Sequence, residues 1–406
     1  MHSSPESPLS AALSRRSFFR FAAGASALAS MPLLSEPELA RAAMPTFPDP
    51  NIGIHIDANE NPMGPCDAAR KAIADIIPRG GRYLFPWDQE IATIFAKQEG
   101  LDPESVLAFA GSTEPLTFTV TAFTSKDRPL VTADPGFEAP MWAAKISGAP
   151  IFKVPLADPE GAARHDIKAM LAATPTPGVM YICNPNNPTG TPTPHEDIEY
   201  AVNYAPKGAI ILIDEAYIHL CDEPRSLHFV KEGRDNVIVL RTFSKIYGMA
   251  GLRMGFAVGR PDLLAKIATV NGQNAIPVTA LAAAKASLLD ADLVPTRKKI
   301  IAGIRRQNLD WLKSEGYAVT PSVSNCFMVN VKRPGEQVQT ALAAKQMFVG
   351  RIWPAWPNWL RITVGTDHEM AVFRQDFKQV MAADTTGLKA PPLPRPLAGR
   401  PFTHLS

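Results

Sequence analysis

The chain has 406 residues, of which 46% are hydrophobic and 20% charged, and its formal net charge at pH 7 is +2. That balance is ordinary for a globular protein with room for two packed domains, and the absence of a basic run argues against a nucleic-acid partner, so we expect a small ligand. The four cysteines contain no C-x-x-C pair, which predicts free thiols packed in or near cores and no metal site. They are Cys66, Cys183, Cys221 and Cys326.

The first 45 residues have the order of an export signal. Arg15 and Arg16 precede an apolar stretch at 21–34, and a small-residue site follows at 40–43. The apolar stretch is too short and too rich in small residues for a stable membrane span. We therefore predict a twin-arginine-type signal and linker over 1–45, with export of the folded protein to the periplasm. The alternative is an amphipathic or disordered leader with a fortuitous arginine pair, on a cytoplasmic protein.

Beyond this leader, short apolar runs alternate with helical stretches. Seven runs are apolar at consecutive positions, as expected of strands buried on both faces of a parallel sheet. The predicted strands are 106–109, 129–132, 150–154, 179–183, 209–213, 237–240 and 255–258. Amphipathic segments such as 113–123 and 194–205 lie between them. The pattern predicts an α/β fold with a mostly parallel, seven-stranded sheet between helices.

The same pattern predicts the division of the chain into domains. A large α/β domain is expected over 81–275, preceded by a segment at 46–80. Long helices with short strands at 327–331 and 360–364 then predict a smaller α+β domain over 276–383. The tail at 384–406 is rich in proline, so we expect it to lack fixed structure.

Polar residues follow the predicted strands at the edge where an open parallel sheet binds its ligands. Ser112 and Thr113 open a helix after the first strand, where backbone N–H groups can hold a phosphate; the alternative is that this helix start is a plain N-cap. After the fourth strand, the loop 184–190 contains two prolines and a glycine that fix the side chain of Asn187. Neither the helix start nor the loop predicts a ligand site by itself; their position at the same edge of the sheet is what indicates one.

A carboxylate and an amine follow the next two strands. Asp214 comes directly after a buried strand and needs a partner such as a protonated pyridine nitrogen, and Tyr217 can reach the same ring. Lys245 can lose its proton at a cofactor site and attack an aldehyde to form an imine. Ser244 and Arg253 flank the lysine and suit a phosphate dianion. Four loops at one sheet edge therefore predict a cofactor site.

These motifs resemble those of the class I/II aminotransferases of fold type I, which use pyridoxal 5′-phosphate (PLP). Among these the sequence is most similar to the histidinol-phosphate aminotransferase branch. The resemblance covers about residues 52 to 380 and rests on five segments, 57–62, 184–190, 214–217, 244–255 and 360–366. It implies a homodimer that transfers an amino group between an amino acid, or histidinol phosphate, and a 2-oxo acid by a ping-pong mechanism.

The resemblance also implies a role for each matched residue around the cofactor. Lys245 would hold PLP as an imine and move a proton at the substrate Cα, while Asp214 would keep the pyridine nitrogen protonated. Asn187 and Tyr217 would hydrogen-bond the O3′ atom, and Phe137 would stack on the ring. The cofactor phosphate would be held by Ser112, Thr113, Ser244 and Arg253.

On the substrate side, the resemblance implies three binding residues. Arg361 would clamp the α-carboxylate, which orients the Cα–H bond. Asn59 would lie in the segment 46–80, which closes over the active site. Arg351 stands near the sequence position of the arginine that, in histidinol-phosphate aminotransferases, binds the substrate phosphate. Three tryptophans follow it and either line a pocket for an aromatic or apolar side chain or serve as packing; they are Trp353, Trp356 and Trp359.

One position departs from the family pattern at the expected dimer interface. Phe85 stands where the family usually has a tyrosine that reaches the cofactor phosphate of the neighbouring subunit, and phenylalanine cannot make that hydrogen bond. Either Tyr83 substitutes for it or the contact is absent.

Two other functions are compatible with the same fold. A PLP lyase or decarboxylase, like the threonine-phosphate decarboxylases, would also need Lys245 and Asp214 and would differ in which Cα bond is aligned with the ring. A non-catalytic sensor would be expected to carry a DNA-binding domain, which is not seen before residue 50, and to have lost the lysine. We therefore predict a transaminase, with the lyase as the alternative.

Overall fold

The computed structural model describes residues 51–159, 161–271 and 275–384. The predicted signal and linker over 1–45 lie outside these residues, as does the predicted tail from residue 385 onward. Within the described ranges, no helix is both long and apolar enough to cross a membrane. All four cysteines are free, with Cys183 and Cys326 buried and the other two partly buried, as predicted.

The described residues form strands and helices in alternation over most of their length. The strands are β1 (Ile54–Ile56), β2 (Val106–Phe109), β3 (Leu130–Asp134), β4 (Ile151–Pro155), β5 (Val179–Cys183), β6 (Ile210–Asp214), β7 (Val237–Thr242), β8 (Gly255–Gly259), β9 (Cys326–Asn330), β10 (Met347–Val349) and β11 (Trp359–Thr363). The helices are α1 (Asp67–Ile76), α2 (Pro86–Glu99), α3 (Thr113–Phe123), α4 (Ala139–Ile146), α5 (Ile167–Ala172), α6 (His195–Tyr204), α7 (Leu227–Lys231), α8 (Pro261–Val270), α9 (Val278–Leu289), α10 (Leu293–Ser314), α11 (Gly335–Ala343) and α12 (Asp367–Ala382).

The large sheet contains the seven predicted strands in the order β2-β8-β7-β6-β5-β3-β4. Strand β8 runs antiparallel to its two neighbours, and the remaining pairs are parallel. Every residue of β5, β6, β7 and β8 is buried, which explains why these segments are apolar at consecutive positions. The prediction of a mostly parallel, seven-stranded α/β sheet is confirmed. The carboxyl ends of six strands therefore meet at one edge, together with the start of β8.

Some strand boundaries differ from the prediction by one or two residues. Asp214 is the last residue of β6 rather than the first residue after it, and β7 continues through Arg241 to Thr242. Both predicted strands ended too early because the prediction ended them before the first polar residue; β7 is two residues longer than predicted, and β6 is shifted by one residue. A buried polar side chain can remain in a ladder when tertiary contacts supply a partner.

Two small sheets lie outside the large one. Strands β9 and β11 pair antiparallel, and each begins one residue before its predicted start. Strands β1 and β10 pair in parallel and were not predicted. Each has three residues, too few to show an alternating pattern. Their pairing ties the N-terminal segment to the C-terminal part of the described chain, and the boundary between the two predicted domains remains a prediction.

Candidate active site

Asp214 ends the central strand β6 with its side chain buried at the carboxyl edge of the sheet. The hydroxyl of Tyr181, on the neighbouring strand β5, donates a hydrogen bond of 2.8 Å to Oδ2, and the Ala216 N–H donates one of 3.1 Å to Oδ1. Burial raises the pKa of Asp214 to about 6, against the opposing effect of these two donors and of Lys245. The carboxylate is thus held in place and is available to a positively charged partner.

Tyr181 was not predicted as a site residue. It lies in a strand whose five residues are all buried, and a tyrosine hydroxyl in such a strand needs a polar partner. The polar partner that a buried tyrosine hydroxyl requires was the one indication in the sequence that Tyr181 belongs to a site. The sequence alone does not say that the partner is Asp214.

Lys245 follows β7 and is half-buried, and its charge interacts with that of Asp214. Burial lowers the pKa of the Lys245 amine to about 8, and the charge of Arg361 lowers it further, whereas the charge of Asp214 raises it. The Nζ atom lies 5.6 Å from the ring centroid of Tyr217 and 3.5 Å from the Ala58 carbonyl oxygen. An amine with a lowered pKa is partly unprotonated near neutral pH, so it can act as a nucleophile and as a base.

Tyr217 is oriented by the N-terminal segment. Asn59 Nδ2 donates a hydrogen bond of 3.0 Å to Tyr217 Oη, and the Thr363 hydroxyl donates one of 3.1 Å to Asn59 Oδ1. Asn59 is buried and has a left-handed φ of 53°. Burial raises the pKa of Tyr217 well above its ordinary value, so its phenol is protonated and can donate. The structure therefore brings Asn59, Tyr217 and β11 together.

A second cluster lies where β2 ends and β8 begins. Arg253 Nη1 donates hydrogen bonds to the Ala250 carbonyl oxygen at 2.8 Å and to Ser244 Oγ at 3.4 Å. Gly111 has a φ of +87°, and a Cβ built on it would lie 2.0 Å from Arg253 Nη2.

The helix start and the arginine in this cluster belong to one surface. A Cβ on Gly255 would lie 2.7 Å from the backbone nitrogen of Ser112, and Thr113 is the first residue of α3. The cluster thus combines a helix N-terminus, a hydroxyl and a guanidinium, which are the groups that bind a phosphate. All four residues predicted to hold the phosphate lie in this cluster.

Arg361, on β11, is fully buried and only partly satisfied by the protein. Its Nη1 donates a hydrogen bond of 3.0 Å to Asn187 Oδ1, and its Nη2 donates to the Asp57 carbonyl oxygen. Its Nε is buried and has no hydrogen-bond partner among the described residues. A buried cation with an open donor suits an anionic ligand such as a carboxylate.

Trp353 lies close to both predicted substrate arginines. The Arg361 guanidinium carbon is 5.3 Å from the Trp353 ring centroid, and that of Arg351 is 4.1 Å from it. The indole N–H donates a hydrogen bond of 3.0 Å to the Gly136 carbonyl oxygen, beside the half-buried Phe137. Trp353 is therefore packed against the site.

The other two tryptophans are packed elsewhere on the molecule. Trp356 lies against a small cluster formed by Ala133, Leu156 and Ala163, and its ring centroid is 5.0 Å from that of Trp359. Of the two explanations that the sequence left open, packing applies to Trp356.

Arg351 differs from expectation in its partner. It forms an ion pair with Glu138, the residue after Phe137, and this pairing was not predicted. The two residues are 213 positions apart, so no local pattern indicates the contact.

Tyr83 and Phe85 lie on the protein surface. Their side chains are 69% and 56% exposed, and their rings stack with centroids 5.3 Å apart. They form an aromatic patch on the surface of one chain.

The assembled groups fit PLP. Burial raises the pKa of Asp214, so a cationic ring nitrogen beside it would stabilise its carboxylate form. Lys245 offers an amine for the aldehyde. A Cβ at Gly111 would collide with Arg253, so only glycine fits where a phosphate would approach the backbone. The fold and these groups together define the PLP-dependent enzymes of fold type I.

Comparison with known proteins identifies the family. The chain belongs to the family "Aminotransferase class I and II", whose sequence model matches residues 51–377. It is 31% identical over 337 residues to a histidinol-phosphate aminotransferase of Moorella thermoacetica, covering 81% of this chain and 86% of that one. It is 33% identical over 324 residues to an aromatic amino acid aminotransferase of Rhodococcus jostii, covering 79% and 88%.

A solved structure shares the fold. The histidinol-phosphate aminotransferase of Sinorhizobium meliloti, in complex with PLP, superposes with a TM-score of 0.76 at 24% identity, covering 87% of this chain and 96% of that one. The protein is a PLP-dependent aminotransferase, as the motifs predicted.

Proposed function

We propose that this aminotransferase moves an amino group between an amino acid and a 2-oxo acid by a ping-pong mechanism centred on Lys245 and Arg361. The observation that supports the proposal is that both side chains reach adjacent carbonyl oxygens of the N-terminal segment: Lys245 Nζ lies 3.5 Å from that of Ala58, and Arg361 Nη2 donates to that of Asp57. The charge of Arg361 also lowers the pKa of the lysine amine. A carboxylate held by Arg361 brings the substrate Cα close to Lys245 Nζ. Amino acids and 2-oxo acids both carry that carboxylate.

The residues around Lys245 have separate roles in the reaction. PLP, when bound, supplies an aldehyde and an electron-withdrawing ring. Lys245 Nζ would accept the proton from the substrate Cα, and Asp214, fixed by Tyr181, would keep the ring nitrogen protonated. Tyr217, fixed by Asn59, and Asn187 would donate to the ring oxygen. The network of fixed donors is arranged before substrate binds, which favours catalysis.

The test is to incubate the PLP-loaded protein with single amino acids and with histidinol phosphate. A transaminase accumulates pyridoxamine phosphate, whereas release of CO2 or of an eliminated group would identify a lyase and contradict the proposal. The Lys245→Ala variant is the matched control. A panel of 2-oxo acids then identifies the acceptor, since only a substrate of the second half-reaction restores PLP.

We also propose that the functional unit is a homodimer. The exposed aromatic pair Tyr83 and Phe85 supports this, because stacked aromatic side chains on a surface are typical of protein interfaces. Light scattering should give twice the mass of one chain. Replacing both residues with alanine should weaken the dimer more than replacing Ile146, which is 60% exposed at the end of α4. A wild-type monomer would refute the proposal.

For localisation, we propose periplasmic export of the folded protein through its twin-arginine-type leader. The order of charged, apolar and small residues over 14–43 supports it. Cell fractionation should find the activity in the periplasm, and replacing Arg15 and Arg16 with lysine should retain it in the cytoplasm. Wild-type activity confined to the cytoplasm would contradict the proposal.

A further inference from the structure

A buried ion pair joins the ends of strands β6 and β7, next to Asp214 in the chain. It is formed by Glu215, the residue after Asp214, and Arg241 on β7, whose side chains are 0% and 2% exposed. Arg241 Nε donates a hydrogen bond of 2.8 Å to Glu215 Oε2, and Nη2 lies 2.7 Å from the same oxygen. The pair thus connects the strand that ends in Asp214 with the strand that leads into the Lys245 turn.

Both members of the pair are also held by other groups. Glu215 Oε1 accepts a hydrogen bond of 2.6 Å from the Ser226 N–H, just before α7. Arg241 Nη1 donates to His219 Nε2 at 3.4 Å and lies 3.9 Å from Glu99 Oε1. Burial and, after it, the charge of Arg241 lower the pKa of His219 well below its ordinary value, so this ring is neutral and can accept. The Glu215 carboxylate is therefore anchored to β7 and to the start of α7.

The turn at 214–217 contains this anchor. The Glu215 N–H donates a hydrogen bond of 3.1 Å to the Leu240 carbonyl oxygen of β7, and the next N–H along the chain, that of Ala216, donates one of 3.1 Å to Asp214 Oδ1. Glu215 therefore stands between the carboxylate and one of its two donors. Release of the Glu215 side chain would free the peptide that carries the Ala216 N–H, and Asp214 would lose a hydrogen bond that lowers its pKa.

We infer that Glu215 and Arg241 are positioning residues for the cofactor: their buried ion pair fixes the turn at 214–217 against the end of β7, and so holds the Asp214 carboxylate where a cationic ring nitrogen would meet it. The inference rests on the proposed role of Asp214 and assigns the pair no contact with the cofactor. A buried ion pair is often no more stabilising than apolar side chains of the same size, so stability alone does not account for this one. A planar guanidinium with several donors fixes orientation as well as charge.

The test separates geometry from charge with two variants, each titrated as apoprotein with PLP over a range of pH. Arg241→Lys keeps the charge but replaces the planar donor group by a single ammonium, whereas Glu215→Gln removes the charge. Both variants should bind PLP about tenfold or more weakly than the wild type. Affinity should fall as pH decreases through the Asp214 pKa of about 6, and in both variants this fall should move to higher pH, because Asp214 has lost a donor.

An effect of charge alone would give a different pattern. Arg241→Lys would then behave as wild type, and in Glu215→Gln the fall in affinity would move to lower pH, since the charge of Glu215 helps to raise the pKa of Asp214. Either result overturns the inference. Arg374→Lys is the matched control, because Arg374 Nη1 donates a hydrogen bond of 2.9 Å to the buried Asn308 on α10. It should bind PLP as the wild type does; equal weakening there would indicate a general disturbance and would also overturn the inference.

A measurement on the wild type decides the matter even if a variant does not fold. Hydrogen exchange of the apoprotein should be slow at the N–H groups of Glu215, Ala216 and Ser226 before PLP is added, and faster in Arg241→Lys. Fast exchange at these groups in the wild type overturns the inference.

The Asp214→Asn variant distinguishes this inference from the proposed function. If Asp214→Asn binds PLP as tightly as the wild type, the proposed role of Asp214 fails, and the exchange rates still decide whether the ion pair fixes the turn. If Asp214→Asn binds weakly while Arg241→Lys binds as the wild type does, the role of Asp214 stands and the inference about the pair is refuted.

Discussion

Tyr181 donates its hydroxyl hydrogen bond directly to Asp214, over 2.8 Å between the neighbouring strands β5 and β6. Both side chains are buried, and the pKa of the carboxyl is already raised to about 6 by desolvation. Of the groups that oppose this rise, Tyr181 has the largest effect, and its hydrogen bond orients the carboxylate.

The Tyr181→Phe variant should weaken cofactor binding and shift the pH profile. Loss of a hydrogen bond to a charged group costs about 1.5–3 kcal/mol, so we expect at least about a tenfold weaker affinity for PLP. The pKa of Asp214 should rise further, so less carboxylate is ionised at a given pH and the acid limb of kcat/KM should move to higher pH. Spectroscopic titration of the apoprotein with PLP and a pH–rate profile measure the two effects. Tyr200→Phe, on α6, is the control, and an unmoved acid limb in Tyr181→Phe would contradict the role.

Lys245 should be the residue that captures the cofactor, with a pH dependence set by its amine. Because burial lowers the pKa of that amine to about 8, the unprotonated fraction grows with pH. The rate at which apoprotein captures PLP should rise about tenfold per pH unit below this pKa and level off above it. Stopped-flow absorbance measures the rate of PLP capture, and borohydride reduction traps the imine between the lysine and PLP. Lys245→Ala should form no reducible bond at that site, while the exposed Lys126→Ala should behave as wild type; a bond that survives in Lys245→Ala would refute the assignment.

Arg361 should govern the affinity for amino acids. Arg361→Ala removes a buried guanidinium that can pair with a carboxylate, and the loss of about 2–4 kcal/mol should raise KM by roughly 30-fold or more. Arg361→Lys keeps the charge but not the paired donors, so its KM should lie between those of the wild type and Arg361→Ala. Steady-state kinetics with a fixed 2-oxo acid provide the measurement. The exposed Arg260→Ala is the control, and a KM unchanged in Arg361→Ala would remove Arg361 from substrate binding.

Gly111 should be required for cofactor binding for a steric reason. A Cβ there would lie 2.0 Å from Arg253 Nη2, so Gly111→Ala should displace the guanidinium and weaken PLP binding by about tenfold or more. Gly148 offers a matched control, because its φ of +68° is also left-handed but a Cβ would meet nothing within 4 Å. Gly148→Ala should cost only about 1 kcal/mol of stability through backbone strain. Equal PLP affinities in the two variants would show that phosphate binding by the cluster around Arg253 does not depend on Gly111.

Much of the fold could be read from local patterns. All seven strands of the large sheet were predicted, and the central strands β5 to β8 are fully buried, as their consecutive apolar residues required. The expectation of burial on both faces was wrong for the edge strand β4, where only Val154 is fully buried. The three-residue strands β1 and β10 were missed, since their pairing depends on residues that lie far apart in the chain, such as Ile54 and Met347. The candidate cofactor residues were singled out because they lie at or after strand ends that meet at one edge, Asp214 being the last residue of β6, and their roles were implied by the family resemblance.

The amino-acid sequence by itself determined which chemical groups reach the edge of the sheet: the Lys245 amine, the Asp214 carboxylate and the groups suited to phosphate. Only the tertiary structure decided what each group is paired with. Asn187 meets Arg361 across 174 positions, and Glu138 meets Arg351 across 213. The physical reason is that a motif reports its own neighbours along the chain, whereas burial and charge pairing depend on which distant segments fold onto it.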